Sequence, residues 1–164
     1  MTKIVLCFIV ILFTTIIGFS FSRLYKSKIS LFLDMVNFCN AFEANLDFYQ
    51  KNLKEFIIEF CQTASIEFVL VIENYFKINI KKSNESFFYK IFSLNLSSNQ
   101  KSQIENVLSQ LGKSDAISQK NLLSSYKYYF EKELEKSKAN YESKGKVCAK
   151  LGVVLGFFLS VLIV

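Results

Sequence analysis

The chain has 164 residues, of which 51% are hydrophobic and 21% are charged, and it contains five Gly, four Cys and no Pro, Trp or His. A mean hydropathy of +0.27 is too apolar for an ordinary soluble domain of this length. The absence of His excludes Ser-His and Cys-His nucleophile pairs and removes the commonest zinc ligand. Without Pro and with few Gly, the chain lacks the turn residues of a many-stranded sheet. The composition therefore predicts an all-α protein and argues against most hydrolytic enzymes.

The N-terminal apolar segment is long enough to cross a membrane. The residues from Ile4 to Ser22, between Lys3 and Arg23, carry no charge, and as a helix they span about 30 Å of hydrocarbon. A cleaved signal peptide would also fit Lys3 and the apolar core. However, the run is longer than a typical signal core and no clear cleavage site follows it. We therefore predict a transmembrane helix over residues 1–22.

A second apolar segment lies at the C-terminal end of the sequence. The residues after Lys150 are all uncharged. The run lengthens to a membrane-spanning one if it begins at Val147 and Lys150 extends its ammonium group towards the interface. This pattern predicts a second transmembrane helix over residues 147–164. Residues 23–146 then form a helical bundle and a stalk between the two spans.

Basic residues flank both apolar segments on their inner sides. Arg23, Lys26 and Lys28 follow the first segment. Five lysines precede the second, against Glu142 as the one nearby acid: Lys136, Lys138, Lys144, Lys146 and Lys150. By the positive-inside rule, the middle region, including residues 79–86, is cytoplasmic and the termini lie across the membrane. Between these flanks acidic residues slightly outnumber lysines, so we predict contact with membrane lipid and no nucleic acid.

The middle region has helical periodicity. Apolar residues at steps of three and four predict a helix from about residue 26 to 49, with shorter helices around 53–60 and 66–76. The segment ESFFYKIF, residues 85–92, is predicted to form another short helix.

The second half of this region carries helix start and stop signals. Ser98 is the predicted N-cap of one helix and Gly112 its stop, and Ser114 is the predicted N-cap of the next. That last helix, with Ile117 in its apolar stripe, has no breaker before Gly145. Its later part, residues 131–146, is predicted to be a solvated stalk.

Both apolar segments carry small residues at intervals of four. In the first they are Thr14, Gly18 and Ser22, and in the second they are Cys148, Gly152, Gly156 and Ser160. Each set forms one stripe along a helix, where another backbone can approach closely. The sequence leaves open whether the two stripes pack on each other as a hairpin or contact another membrane subunit.

The sequence contains no recognisable pattern of catalytic or metal-binding residues. Cys39 and Cys61 are far apart without a C-x-x-C pair, and the glycine-rich phosphate-binding motifs are absent. Glu131, Glu133 and Glu135 alternate, so on a helix they point apart, and we predict that they face solvent. We therefore predict no enzyme activity, no cofactor and no metal.

The segment LGKSDAISQ, residues 111–119, predicts a helix-turn-helix corner. Two interpretations remain open, because the corner either only ends one helix and caps the next or also binds a cytoplasmic partner through exposed side chains. The predicted partner-binding residues are Leu111, Gly112, Lys113, Asp115 and Gln119, with Glu43 and Asp47 on a second face.

Four segments together resemble the stage III sporulation protein AB family of endospore-forming bacteria. They are TTIIGF (14–19), FEANLDFYQKNLKE (42–55), LGKSDAISQ (111–119) and YESKGKVCAKLGVVLGFFLSVLIV (141–164). The most specific part is LG-x-x-D-x-x-x-Q, which Leu111, Gly112, Asp115 and Gln119 carry, and Glu43 matches the acidic position of the first helix.

The resemblance implies a subunit of the mother-cell complex that connects mother cell and forespore across the two membranes around the engulfed forespore. It implies a cytoplasmic helical domain resembling the platform (F-type) domains of secretion systems, which docks a cognate secretion-type ATPase and joins other membrane subunits. Family members usually have Pro after the first long helix and more Arg in the last, whereas this chain has no Pro and a single Arg. The alternative is a self-assembling pore or membrane scaffold unrelated to an ATPase.

Overall fold

The structure, a computed structural model, describes residues 2–49, 51–77 and 96–163. Within these ranges there are helices and no strand: α1 Thr2–Ala44, α2 Leu53–Thr63, α3 Ile66–Phe76, α4 Ser98–Gln110, α5 Ala116–Asn140 and α6 Lys146–Ile163. π-helical turns at Asn45–Tyr49 and Tyr141–Gly145 follow α1 and join α5 to α6. The all-α prediction is confirmed for these ranges. The predicted helix over 85–92 and the polar stretch 79–86 lie outside the described residues.

The first apolar segment and the helix predicted to begin near residue 26 are one continuous helix. α1 runs for 43 residues, and because the chain has no Pro, every residue can donate to the helical hydrogen-bond ladder. The stretches Val5–Phe48 and Ala116–Leu162 are both long and apolar enough to cross a membrane. In each, most of the apolar window is exposed rather than packed inside the protein.

The last helix reaches the C-terminal apolar segment through one wide turn. The N–H of Lys146 donates to the carbonyl of Tyr141, five residues earlier, instead of four. Gly145 is buried there, and a Cβ at this position would lie 2.6 Å from the Tyr141 ring and 3.2 Å from Cβ of Tyr25. Glycine is therefore required for Tyr25 and Tyr141 to pack at this turn.

The chain forms two compact units. The hairpin unit comprises Met1–Ser27 and Lys136–Val164, and the bundle comprises Lys28–Glu135. The core of the bundle is aromatic, with Phe38 at its centre. Its ring lies 5.3 to 6.0 Å from the ring centroids of Phe42, Phe56, Phe60 and Phe68. Residues of α4 and α5 complete this core, among them Ile104, Val107, Leu108, Leu123 and Phe130.

Polar side chains fix the start of α4. The N-cap is Ser97 and not Ser98, as the sequence predicted, because Gln100 stands three residues after Ser97 and completes a capping box. Oγ of Ser97 accepts from the Gln100 N–H at 3.2 Å, and Oε1 of Gln100 accepts from the Ser97 N–H at 3.0 Å. The Gln100 amide also donates to the Glu133 carboxylate on α5 at 2.5 Å.

The Glu133 carboxylate is buried, contrary to the prediction that it faces solvent. Glu133 is 7% exposed, and its carboxylate accepts the hydrogen bond from the Gln100 amide. The neighbouring ammonium of Lys28 is partly desolvated, which lowers its pKa, while the charge of Glu133 opposes this shift. Glu133 thus ties α4 and α5 together at the side of the bundle where α1 carries Lys28.

Candidate partner-binding site

The corner between α4 and α5 is built by the residues of the 111–119 motif. Leu111, just after α4, is buried in the core of the bundle. Gly112 has a φ of +73°, in the left-handed region that glycine adopts without strain. A Cβ on Gly112 would also lie 3.3 Å from Cδ2 of Leu53. Leu111 and Gly112 therefore shape the turn and offer no side chain to a partner.

Asp115, and not the predicted Ser114, caps α5. Oδ2 of Asp115 accepts from the Ser118 N–H at 3.1 Å, and its carbonyl accepts from the Gln119 N–H at 3.0 Å. The hydrogen bonds from Ser118 lower the pKa of the Asp115 carboxyl. A carboxylate at a helix N-terminus also interacts favourably with the helix dipole, which a serine hydroxyl does only weakly.

Gln119 is buried, so the prediction that it is an exposed contact is wrong. It is 3% exposed. With its amide oxygen facing the corner, it accepts from the N–H groups of Gly112 at 2.6 Å and Lys113 at 3.1 Å. The Lys113 N–H also donates to the carbonyl of Gln110 at 3.3 Å. The glutamine therefore supplies the acceptor for the Gly112 N–H and a second acceptor for the Lys113 N–H. Among the five predicted residues of the motif, Lys113 and Asp115 present side chains to solvent.

The predicted acidic face lies beside this corner. Glu43 is half-buried near the end of α1, and the Asp47 carboxylate in the following π-turn accepts from the Lys120 ammonium on α5. Asn45 holds the π-turn, since its amide bonds the N–H of Lys51 at 3.2 Å and the carbonyl of Lys51 at 3.3 Å. The ion pair joins the two predicted sets of residues into one region of the bundle.

Two apolar side chains are strongly exposed in the same region. Phe48 is 81% exposed and Ile117 is 74% exposed. Phe48 directly follows Asp47, and Ile117 lies one helical turn before Lys120, so they flank the ion pair. We define the corner surface as Phe48, Lys113, Asp115, Ile117 and the Asp47–Lys120 pair.

The sequence did not identify the two apolar members of the corner surface. The apolar periodicity assigns Ile117 to the buried stripe of the last helix, and this assignment is wrong because the stripe begins only at Leu122 and Leu123. Phe48 interrupts the spacing of α1, since the π-turn adds an extra residue and rotates the side chains that follow. This break in the apolar spacing is the sequence feature that could have indicated an exposed Phe48.

The corner surface combines two exposed apolar side chains with charged groups. Within the described ranges, no group of three or more Cys, Asp or Glu side chains is placed to hold a metal ion. Burial raises the pKa of the Cys39 thiol in the core to about 12, so at neutral pH it is protonated and unreactive. Exposed aromatic and aliphatic side chains among charges are typical of protein contact sites.

In the hairpin unit, the two stripes of small residues lie against each other. A Cβ on Gly18 would lie 2.8 Å from the carbonyl oxygen of Cys148 and 2.9 Å from Cα of Gly152. A Cβ on Gly152 would lie 2.8 Å from the carbonyl oxygen of Thr14, and one on Gly156 would lie 2.5 Å from Oγ1 of Thr14. The backbones of α1 and α6 are therefore in direct contact.

Polar groups extend this contact towards the ends of the helices. Oγ of Ser160 donates to the carbonyls of Gly156 at 2.8 Å and Cys7 at 3.4 Å, and Sγ of Cys7 donates to the carbonyl of Ser160 at 3.6 Å. Ser22, the last member of the first stripe, is also buried. The small side chains and hydroxyls thus face the hairpin contact.

Comparison with known proteins identifies the family. The family model described as stage III sporulation protein AB matches residues 3–164. The chain belongs to the stage III sporulation protein AB family. No curated protein and no solved structure matches it. In this member of the family, the LG-x-x-D-x-x-x-Q motif forms the corner itself, through a buried leucine, a left-handed glycine, a capping aspartate and a buried glutamine.

Replacing Gln119 by Ala should destabilise the bundle. The change leaves the Gly112 N–H without its acceptor and leaves the Lys113 N–H with the Gln110 carbonyl as its acceptor. We expect a loss of about 1–3 kcal/mol in the free energy of unfolding. Asn121→Ala, on an exposed position of the same helix, is the matched control and should change stability by less than about 0.5 kcal/mol. Urea unfolding followed by circular dichroism measures both. Equal stabilities of the two variants would contradict the assigned role of Gln119.

Replacing Gly152 by Leu should separate the two apolar helices, because the new side chain meets the backbone of α1. The readout is disulfide formation between native Cys7 and a thiol introduced by Ser160→Cys, with the other cysteines replaced by Ala. We expect rapid oxidation in the parent and a loss of at least about tenfold in its rate with Gly152→Leu. Val154→Leu, at an exposed position of α6, is the control and should oxidise like the parent. Unchanged oxidation with Gly152→Leu would refute the close contact.

Proposed function

We propose that this protein is a non-enzymatic platform or adaptor subunit that docks a cytoplasmic secretion-type ATPase through the corner surface of its bundle. In this proposal it acts in a secretion-like channel between mother cell and forespore, together with other membrane subunits of the same sporulation complex. The exposed pair Phe48 and Ile117 around the Asp47–Lys120 ion pair is the observation that carries the docking role. Membership of the stage III sporulation protein AB family supports the role in sporulation.

The two apolar helices support a membrane location. Large apolar side chains are exposed along both of them, as on Phe8, Phe13, Phe157 and Phe158. Such a surface is stable in lipid and unfavourable in water. The basic residues at the inner ends of these helices favour a cytoplasmic bundle in the mother-cell membrane around the forespore.

A binding role suits the corner surface better than a catalytic role. Its charged groups are Lys113, Asp115 and the Asp47–Lys120 pair; Asp115 caps a helix and the pair neutralises itself. The remaining exposed side chains, Phe48 and Ile117, are apolar. A partner protein that binds this surface would bury them. The bundle thus acts by docking, and the nucleotide chemistry belongs to the ATPase.

The interior of the hairpin argues against a pore made by this chain alone. Ser22 and Ser160, the serines of the two stripes, are buried, and Thr14 is half-buried with its hydroxyl bonded to carbonyls of its own helix. A water-filled lumen would need such groups on an outer face of the helices. The chain instead supports the channel as a platform.

Substitutions in the corner surface should weaken ATPase binding without destabilising the bundle. We expect Phe48→Ser and Ile117→Ser each to raise the Kd of the full chain in nanodiscs for its purified cognate ATPase by about tenfold or more, as for central interface side chains. Melting temperatures should be unchanged, because neither side chain is packed in the core.

Tyr128→Ser is the matched control for this experiment. Tyr128 is 69% exposed on α5 but lies three turns from Ile117, outside the corner surface. Its removal should leave the Kd unchanged. Identical Kd values for all three variants and the parent would refute docking at the corner surface.

A further inference from the structure

The contacts between α1 and α6 fix which residues lie at the same depth in the hairpin. Gly18 packs on Gly152. Seven residues further along α1, Tyr25 faces Gly145, which lies seven residues back along the other helix. Because both helices rise by the same amount per residue, the spacing between matched positions is conserved. Arg23 therefore lies level with residue 147, and Lys26 lies level with Lys144.

This register brings four cations from two helices to one level. Arg23, Lys26, Lys144 and Lys146 are all exposed and lie within about one helical turn of each other along the hairpin. We define them as the basic ring. Glu142, the one acidic residue in the sequence of the hairpin unit, pairs with Lys146 at 2.5 Å. Within the described residues, Arg23, Lys26 and Lys144 have no acidic partner.

The basic ring lies at the edge of the exposed apolar surface of the hairpin. On α1 this surface ends at Phe21, and on α6 it begins at Val147. Tyr25 and Tyr141, both half-buried, lie next to the ring at Gly145, and tyrosine is enriched where a protein passes from hydrocarbon to water. A ligand that fits this place therefore has an anionic group next to an apolar chain.

We propose that the basic ring binds the phosphate headgroups of anionic phospholipids, in the leaflet at the Arg23 end of the hairpin. This inference rests on the membrane location proposed above. A phospholipid fits both parts of this site, because its phosphate contacts the cations of the basic ring and its acyl chains cover the apolar surface of the hairpin. Free phosphate would match only the cations. Binding at one level on both helices fixes the depth of the hairpin in the bilayer.

The test uses the full chain reconstituted in phosphatidylcholine bilayers, with spin-labelled phosphatidylglycerol or spin-labelled phosphatidylcholine as the probe lipid. Electron spin resonance gives the fraction of each probe immobilised at the protein. We expect a preference for phosphatidylglycerol on the order of five-fold, the factor for one cation near an anionic surface. The preference should fall as salt is raised from about 0.05 to 0.5 M.

Two triple variants, each losing three positive charges, distinguish an effect of the basic ring on lipid preference from an effect of the net charge of the chain. Arg23→Gln, Lys26→Gln and Lys144→Gln together should reduce the preference to near one. Lys54→Gln, Lys101→Gln and Lys132→Gln, at exposed positions of the bundle outside the corner surface, should leave it unchanged. Inorganic phosphate, compared with chloride at equal ionic strength, should displace no probe.

The outcomes distinguish this inference from the proposed function. A chain that inserts into neutral bilayers but shows no lipid preference, or an equal loss in both triple variants, overturns the basic ring as a lipid site. Displacement by inorganic phosphate overturns lipid as the ligand. A chain that does not float with phosphatidylcholine vesicles overturns the membrane location and the inference with it.

Discussion

The backbone contact between Gly18 and Gly152 is the constraint on which the hairpin unit depends. Lipid chains are as apolar as leucine, so two helices in a membrane gain little by burying large side chains against each other. They associate where backbones come close enough for dispersion contacts and interhelical hydrogen bonds. Here glycines allow that approach, and Ser160 and Cys7 add hydrogen bonds. The same contact sets the level of Tyr25 against Gly145 and brings Arg23 and Lys26 to the level of Lys144.

The bundle is stabilised in a different way, by a buried aromatic core. Phe38 and its neighbours occupy the centre, and the polar residues of the corner hold the turn between α4 and α5. The LG-x-x-D-x-x-x-Q motif is therefore mainly structural in this chain. Its Leu111, Gly112 and Gln119 shape the corner, and Lys113 and Ile117 are exposed there.

The sequence predicted the large features and missed those that depend on single side chains. Hydropathy and charge identified two apolar helices, since a long uncharged run is a strong signal in the first segment and the second reaches spanning length when Lys150 is included. Both N-cap predictions were wrong by one residue. Ser97, and not Ser98, has a glutamine three residues later, which is the sequence signal of a capping box. Ser114 and Asp115 are both residue types that cap helices, so the sequence did not separate them. The burial of Gln119 and Glu133 depends on donors that the tertiary fold supplies, from the corner to Gln119 and from α4 to Glu133. The exposure of Phe48 depends on the π-turn at Asn45–Tyr49. A prediction from the regular spacing of an α-helix does not include such a turn.

The central claim is that two membrane helices hold a cytoplasmic bundle, and cysteine accessibility tests it most directly. Single thiols are introduced by Ser114→Cys in the corner or Leu162→Cys near the end of α6, both at exposed positions, in a chain without its native cysteines. The chain is produced in vegetative cells, where no forespore is enclosed and its helices insert into the outer cell membrane, and a membrane-impermeant maleimide is then applied to these intact cells. The account predicts that the thiol at position 162 reacts in intact cells and that the thiol at position 114 reacts only after permeabilisation. Labelling at position 114 in intact cells would contradict it.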